Sequence, residues 1–331
     1  MLQIYGTLGP ACAEQAALEA MLRAGLTGMR LNLSHCDLAD SQPLLEAYRA
    51  AGAAVGVQPQ LLIDMEGPEL RIGAVSPMTL EEGAEIFLGT DGIEVPAALL
   101  AALCSGDELL LDDGKLALQA LTAAPDRAAC RVTRGGSLTS RKSIKLVGRE
   151  IRMPVSTERD LRNIRQAVQN GVTGLMQPFV RSGEDVKELR SILNENGAGQ
   201  LEIHAKIEIM KGVHHLEEIL PHADVIVIAR GDLGNDMPLW QLPAVQKKIS
   251  AACRRAGKPF VVVNQMLASM ERAPIPTRAE VSDIFNAVAD GAGGVMLTNE
   301  TAVGAYPVEA AVYLARTAVE AERWLRQQEK A

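Results

Sequence analysis

Lys206-Ile207-Glu208 alternates in the manner of a strand, so Lys206 and Glu208 point the same way. A lysine beside a carboxylate can be a plain buried ion pair, or it can be half of a reactive site. Asp232 follows in Ala229-Arg230-Gly231-Asp232-Leu233-Gly234, where two glycines let a ligand approach the backbone and free N–H groups can hold an anion. Glu208 and Asp232 together suit Mg²⁺, a hard cation that takes one or two protein carboxylates and fills its other positions with water and substrate oxygens. Two carboxylates with a lysine also describe enolate chemistry. Upstream, Arg30-Leu31-Asn32-Leu33-Ser34-His35 aims Arg30, Asn32 and Ser34 to one side. An arginine cannot neutralise itself by losing a proton, so its placement in a closed site implies an anionic substrate. Asp64 completes the set, either as a ligand or as a strand-end residue that caps backbone N–H groups.

These residues need a scaffold that brings distant segments to one place. Eight short apolar runs read as strands: Gln3–Tyr5, Gly28–Leu33, Gln60–Asp64, Gly174–Gln177, Glu202–Ile207, Val225–Ala229, Phe260–Asn264 and Gly294–Leu297, each leading towards a helix-period segment. That is the count for one closed (β/α)8 barrel, whose chemistry collects at the carboxyl ends of its strands. Arg30, Asn32, Asp64, Gln177, Lys206, Glu208, Arg230, Asp232, Asn264, Thr298 and Glu300 fall at those ends and are expected to converge.

Between Asp64 and the helix starting near Thr157 the alternation breaks. Short β-type runs at Glu85–Leu88, Glu108–Leu111, Leu116–Leu121 and Ala129–Val132, separated by Gly, Pro and Asp turns, predict a small β lid domain over 71–147. The barrel then comprises 1–70 and 148–331, roughly 254 residues, close to the usual length of a bare barrel. Thr277 stands three residues before Glu280 as a capping box. His214-His215 sits in a helix, where adjacent side chains diverge by about 100°, so a solvated or packing role outranks metal ligation. Asp290-Gly291-Ala292-Gly293-Gly294 precedes a strand, whereas a dinucleotide-binding loop must follow one.

Composition narrows the function classes. A net charge of -8 opposes binding to nucleic-acid backbones. The five cysteines are scattered, with no CxxC pair or zinc spacing, and fit a reducing cytoplasm. The amino terminus lacks a signal peptide's basic and apolar regions, and no apolar stretch is long enough to span a bilayer. A cytoplasmic protein without membrane or nucleic-acid partners is expected.

Gly6-Thr7-Leu8-Gly9-Pro10-Ala11, Arg30 through His35, Asp64 with Gly67-Pro68-Glu69-Leu70-Arg71, Asp112-Asp113-Gly114, Lys206-Ile207-Glu208, Ala229 through Gly234, Gln265-Met266-Leu267, Pro276 through Glu280 and Glu300-Thr301-Ala302 together resemble the pyruvate kinase family. They occur in the family's order and cover nearly the whole chain. The resemblance implies a barrel with a lid domain, phosphoenolpyruvate and ADP or ATP as substrates, Mg²⁺ and often K⁺. Carried over by position, Arg30 would hold the transferring phosphoryl group, and Lys206 would stabilise that group and the enolate. Glu208 and Asp232 would ligate Mg²⁺, while N–H groups near Gly231 and Asp232 would take the substrate carboxylate. Asn32, Ser34, Asp64 and Met65 match the monovalent-cation position, and Glu69 matches the marker of K⁺ dependence. Arg30, Asn32, His35, Arg71 and Lys142 match nucleotide or phosphate contacts.

The chain also departs from the family. Asn264 replaces a threonine near the substrate carboxylate and the path of proton delivery to the enolate, and an amide cannot relay a proton as a hydroxyl can. Glu66 replaces a lysine, and Met65 and Pro178 replace polar residues. Lys142-Ser143-Ile144-Lys145-Leu146-Val147 departs from the usual hinge of the lid. No carboxyl-terminal effector domain is expected, hence insensitivity to fructose bisphosphate and a homodimer rather than a tetramer. A Mg²⁺-dependent lyase or aldolase using the same enolate machinery, and a catalytically weak metabolite-binding relative, are the other readings.

Overall fold

The computed structural model describes residues 2–67, 70–112, 114–148, 151 and 153–328. Pro68, Glu69 and Asp113, which carry part of the resemblance, lie outside the described residues, as does the tail after Gln328.

Three strands open the chain: β1 (Gln3–Thr7), β2 (Gly28–Asn32) and β3 (Gln60–Asp64). Seven follow in the middle segment: β4 (Met78–Leu80), β5 (Glu85–Gly89), β6 (Glu108–Leu111), β7 (Leu116–Ala123), β8 (Arg127–Arg134), β9 (Gly136–Leu138) and β10 (Ile144–Leu146). Five more complete the fold: β11 (Gly174–Gln177), β12 (Glu202–Ile207), β13 (Val225–Ala229), β14 (Phe260–Val263) and β15 (Gly294–Met296). The first three and last five close into an all-parallel barrel in the order β1-β15-β14-β13-β12-β11-β3-β2. The chain is thus a (β/α)8 barrel with an inserted, largely antiparallel β segment.

Burial on both faces explains why runs such as Val225–Ala229 and Phe260–Val263 are almost wholly apolar. Tyr5, Leu62, Met176, Val227, Val261, Val263 and Met296 fill the barrel interior, while the larger core lies between sheet and helices. The helix Gln15–Ala24 shows how that outer layer forms. Leu18, Met21 and Leu22 make one apolar stripe against the sheet, and Gly25, at φ 116°, stops the helix in a conformation that other residues resist.

The chain divides into two compact units, Met1–Gly67 with Val155–Ala331, and Pro68–Pro154. The second unit holds a five-stranded antiparallel sheet, β10-β6-β7-β8-β5, and the pair β4-β9, around a core of Leu88, Leu99, Leu109, Leu118 and Val132. It reaches past 147 because Ile151 packs on that core. Within the segment, the helix Ala97–Ala102 and the short strands β4, β9 and β10 escaped the sequence reading.

Barrel closure between β1 and β15 uses hydroxyls as well as the ladder. Thr7 donates through its hydroxyl to the Leu297 carbonyl (2.8 Å), and its N–H donates to Thr301 Oγ1 (2.8 Å). Gly9 then passes so near the helix Asn299–Ala302 that a Cβ there would lie 2.4 Å from the Ala302 carbonyl oxygen. Gly9→Ala is therefore expected to destabilise the barrel by about 1–3 kcal/mol, measured by urea unfolding, because backbone rather than a flexible side chain must give way.

Candidate active site

Asp64 ends β3 fully buried, and two cations converge on it, one from the adjacent strand β2 and one from β12, which lies beyond β11. Arg30, on β2, donates through Nε to Asp64 Oδ2 (2.8 Å) and brings Nη2 to 2.7 Å from the same oxygen. Lys206, on β12, places Nζ 3.1 Å from Oδ1 and 3.2 Å from Oδ2. The same ammonium lies 2.8 Å from Oε1 of Glu208, just past the strand's end, as the alternation of that strand requires. Glu208 is buried too, and its Oε2 accepts the N–H of Phe179 (2.8 Å), a residue held at φ 51°. Four side chains from three strands thus form one chain of charge, Arg30-Asp64-Lys206-Glu208.

Electrostatics follow from that chain. Burial disfavours a charged Asp64, yet Lys206 and Arg30 outweigh it and hold the carboxyl below its usual range. Burial likewise works against the Lys206 charge, and Asp64 and Glu208 overcome it, so the ammonium persists above its ordinary range. Glu208 goes the other way: burial pushes its carboxyl up, Asp232 and Asp64 add to this, and Lys206 only partly offsets them. A carboxylate crowded by two others beside one lysine is a group whose charge calls for a cation.

The helix Arg230–Asn235 begins where β13 ends, bringing Gly231 and Asp232 to the same end of the barrel. Arg230 itself turns away from the charge cluster. It reaches Asp283 at 2.7 Å and donates through Nε (3.2 Å) and Nη2 (2.6 Å) to the Asn264 carbonyl, fastening that backbone. Asn264 and Gln265 both have positive φ, 76° and 54°, and asparagine is among the few residues that tolerate this. Asn264 Oδ1 accepts the Gly231 N–H at 3.4 Å, so its amide already addresses the backbone at the start of that helix.

The remaining expected site residues are placed unevenly. Asn32 Oδ1 accepts the Ser34 N–H (3.2 Å), while His35 is exposed in the loop beyond. The Met65 side chain packs in the core between sheet and helices. Arg71 and Lys142 belong to the second unit, where Lys142 pairs with Asp112 (2.9 Å) and Arg71 donates to the Arg141 carbonyl (2.9 Å). Besides Arg230, two further strand-end residues expected in the cluster do other work. Gln177 donates to the Asp185 carbonyl (2.9 Å), towards the helix layer. Glu300 spends both oxygens on local donors, the N–H groups of Leu267 (3.0 Å) and Thr298 (2.7 Å) and the Thr298 hydroxyl (3.2 Å). Glu280 closes the capping box with Thr277 and also takes the N–H and hydroxyl of Ser269. Asp160 and Arg159 were missed as partners of these loops, since their spacing from Thr157 signals only a helix start. Glu66, the reversed charge, lies 3.5 Å from Arg159.

Among the described residues no group of three or more His, Cys, Asp or Glu forms a metal cluster, and no helix is long and apolar enough to cross a membrane. A metal at Glu208 and Asp232 would have two protein carboxylates and would draw its other oxygens from water and substrate, the pattern of Mg²⁺.

The family model for the pyruvate kinase barrel domain matches residues 1–311. The chain belongs to the pyruvate kinase family. Among its relatives, a pyruvate kinase of Aeropyrum pernix is 36% identical over 318 residues, covering 95% of this chain and 69% of the relative. One of Methylorubrum extorquens is 38% identical over 331 residues, 97% of this chain and 68% of the relative. One of Sporosarcina psychrophila is 35% identical, across 97% of this chain and 57% of its own length. The chain therefore spans between about half and about two thirds of the relatives it matches. Membership makes it a phosphotransferase by family, and the charge chain lies where the Arg30 and Lys206-Ile207-Glu208 motifs pointed.

The two buried carboxyls should respond oppositely to neutralisation. Because the folded pKa of Asp64 is lowered, its contribution to stability is complete above about pH 4 and is lost as pH falls through the folded value. Asp64→Asn is expected to cost about 3–5 kcal/mol at pH 7, leaving two buried cations undercompensated. Glu208, with its folded pKa raised, instead carries a cost above its ordinary range, so metal-free Glu208→Gln should match or exceed the parent. Urea unfolding in chelator reads both; equal losses would contradict this division.

Proposed function

We propose that this chain transfers a phosphoryl group between phosphoenolpyruvate, or a close enol-phosphate analogue, and ADP or ATP, through an enolate and with Mg²⁺. The observation that carries the reading is the continuous arrangement Arg30-Asp64-Lys206-Glu208. A cation for the phosphoryl group and a cation for the developing enolate share one buried counter-ion. Phosphoryl transfer asks little of a protein beyond position and charge, and such a set supplies both.

In this reading Arg30 orients the phosphoryl oxygens with its planar fork. Lys206 stands where charge develops on the enolate oxygen as the phosphorus bond breaks. Glu208 and Asp232 would hold Mg²⁺, which would supply divalent charge for the phosphoryl oxygens. The N–H groups of Gly231 and Asp232 would donate to the substrate carboxylate once the Asn264 amide yields the first of them. Arg71 and Lys142 would, by the resemblance, contact phosphate groups of the nucleotide. The residues matched to K⁺ fit it less well. Asp64 already balances two cations, Asn32 Oδ1 is taken by Ser34, and the Met65 side chain lies in the core.

Formal charge supports the need for a divalent ion. Arg30 and Lys206 give +2 and Asp64, Glu208 and Asp232 give −3, so the five side chains sum to −1, which repels an anionic substrate. Two added positive charges make the sum +1, which attracts one.

A coupled assay with phosphoenolpyruvate, ADP and Mg²⁺ tests the reading, run beside a pyruvate-release assay on 2-oxo-4-hydroxy acids. Turnover is expected in the first; turnover in the second alone would assign a lyase. Glu208→Gln and Asp232→Asn should each lower Mg²⁺-dependent turnover by about 10²-fold or more, because charge for the metal is lost while shape is kept. Unchanged activity in either variant would remove it from the metal site.

Asn264 generates a further expectation. Threonine there restores a hydroxyl on the proton path but must adopt φ near 76°, at a cost of about 1–3 kcal/mol. Asn264→Thr should therefore raise pyruvate-forming kcat while lowering Tm. A fall in kcat at temperatures where the variant stays folded would point to an analogue whose own group the amide recognises.

A further inference from the structure

The first turn of the helix Glu158–Ala167 carries a buried carboxylate that the chemistry above does not use. Asp160 is 0% exposed and accepts four hydrogen bonds. The Glu66 N–H reaches Oδ1 at 2.9 Å, and the Gly67 N–H reaches Oδ2 at 3.1 Å. The Thr157 N–H and hydroxyl each reach Oδ2 at 2.9 Å. The Thr157 pair is the reciprocal half of a capping box, and a helix start needs no more. The bonds to Glu66 and Gly67 come from residues 94 and 93 positions away.

Those donors occupy particular places in the chain. Gly67 is the last residue of the barrel unit before the inserted segment, and Thr157 lies just after Val155, where the chain returns. One carboxylate thus holds the outgoing and returning crossings at the barrel side. Its neighbours extend the grip to the loop after β2. Arg159 Nε donates to Asp37 (2.6 Å), Asn163 Nδ2 donates to the same oxygen (3.1 Å), and Asn163 Oδ1 accepts the Leu38 N–H (2.8 Å). The outgoing stretch has little slack, for Gly67 sits at φ 65° and a Cβ on it would meet Pro178 at 2.2 Å. Asp64, on which Arg30 and Lys206 depend, is two residues before Glu66.

We propose that Asp160 is a positioning residue for the site. By pinning Glu66 and Gly67 beside Thr157 it fixes the stretch that carries Asp64, and so sets where Arg30 and Lys206 are held. The kinetic half of this inference rests on the proposed phosphotransfer, and the structural half does not. A carboxylate is required because an asparagine offers a single acceptor oxygen and would turn an NH2 group towards N–H donors.

Site-resolved amide hydrogen exchange and kinetics on the full chain test it. In the parent, the Glu66 and Gly67 amides should exchange slowly despite lying in a loop, and fast exchange there would overturn the proposal without any variant. Asp160→Asn should speed both by about tenfold or more and lower kcat/KM for phosphoenolpyruvate by about tenfold or more, as buried donors lose their partner. Thr157→Val removes the cap hydroxyl from the same helix but keeps the carboxylate, so both amides should stay protected and kcat/KM should stay within about threefold, at a loss of about fivefold in the folding equilibrium. If both variants lose activity in proportion to stability, Asp160 is a helix cap and no more. Absence of turnover in the parent would refute the phosphotransfer, while the exchange comparison would still decide for or against the anchor.

Discussion

One buried carboxylate shared by two cations is the constraint on which this barrel's working end depends. Arg30 cannot discharge itself and Lys206 is held charged, so each needs a counter-charge where water is scarce. Asp64 meets both, tying β2, β3 and β12 across the barrel mouth. Burying such a set is weak as a source of stability, since desolvation consumes much of the attraction. Its value lies in position: neither cation can swing to a different rotamer without stranding the others. The strand carrying Asp64 is also the strand from which the inserted segment departs. Two residues further on, Asp160 accepts the N–H groups of Glu66 and Gly67, so the backbone leaving that strand is hydrogen-bonded within the barrel unit.

Much of this was legible from residue order because a barrel strand is buried on both faces. Runs such as Val225-Ile226-Val227-Ile228 have no amphipathic alternative, and the polar residue that ends each run marks the mouth. The pairing of Lys206 with Glu208 followed from period-two geometry alone. What stayed hidden was the destination of each polar group. Glu300 has the same strand-end setting as Asp232, yet its oxygens go to the Leu267 and Thr298 N–H groups. Asp64 was open between capping and ligation and turned out to be a counter-ion. Local spacing says that a carboxylate is available; only the folded loop backbones say which donors reach it first.

The inserted segment was hard to read for a different reason. Its short strands β4 and β9 pair with each other across more than fifty residues, and β4 is exposed at two of three positions, so it shows no alternation. Glu69 matches a family marker, but it lies outside the described residues. Asp160 was masked by an adequate local explanation. Thr157 and Asp160 satisfy a capping box completely, so nothing in their spacing hints at two further donors from the other end of the insertion.

The departures from the family gather on this same scaffold and admit a physical ordering. Glu66 stands where the resemblance expects a lysine; Arg159 lies 3.5 Å from it and Asp160 takes its N–H, so its charge is met beside the start of the helix Glu158–Ala167. Met65 stands where the resemblance expects a polar side chain, and its own side chain is buried in the outer core. Asn264 differs in kind, because it sits at φ 76° with its amide on the Gly231 N–H, inside the cradle where a substrate carboxylate would lie. A substrate entering that cradle must displace the amide or use its NH2 group as a donor. The first two changes therefore leave the charge chain intact, whereas the third bears on what the site accepts. Any divergence of substrate within the family's chemistry is thus to be sought at Asn264.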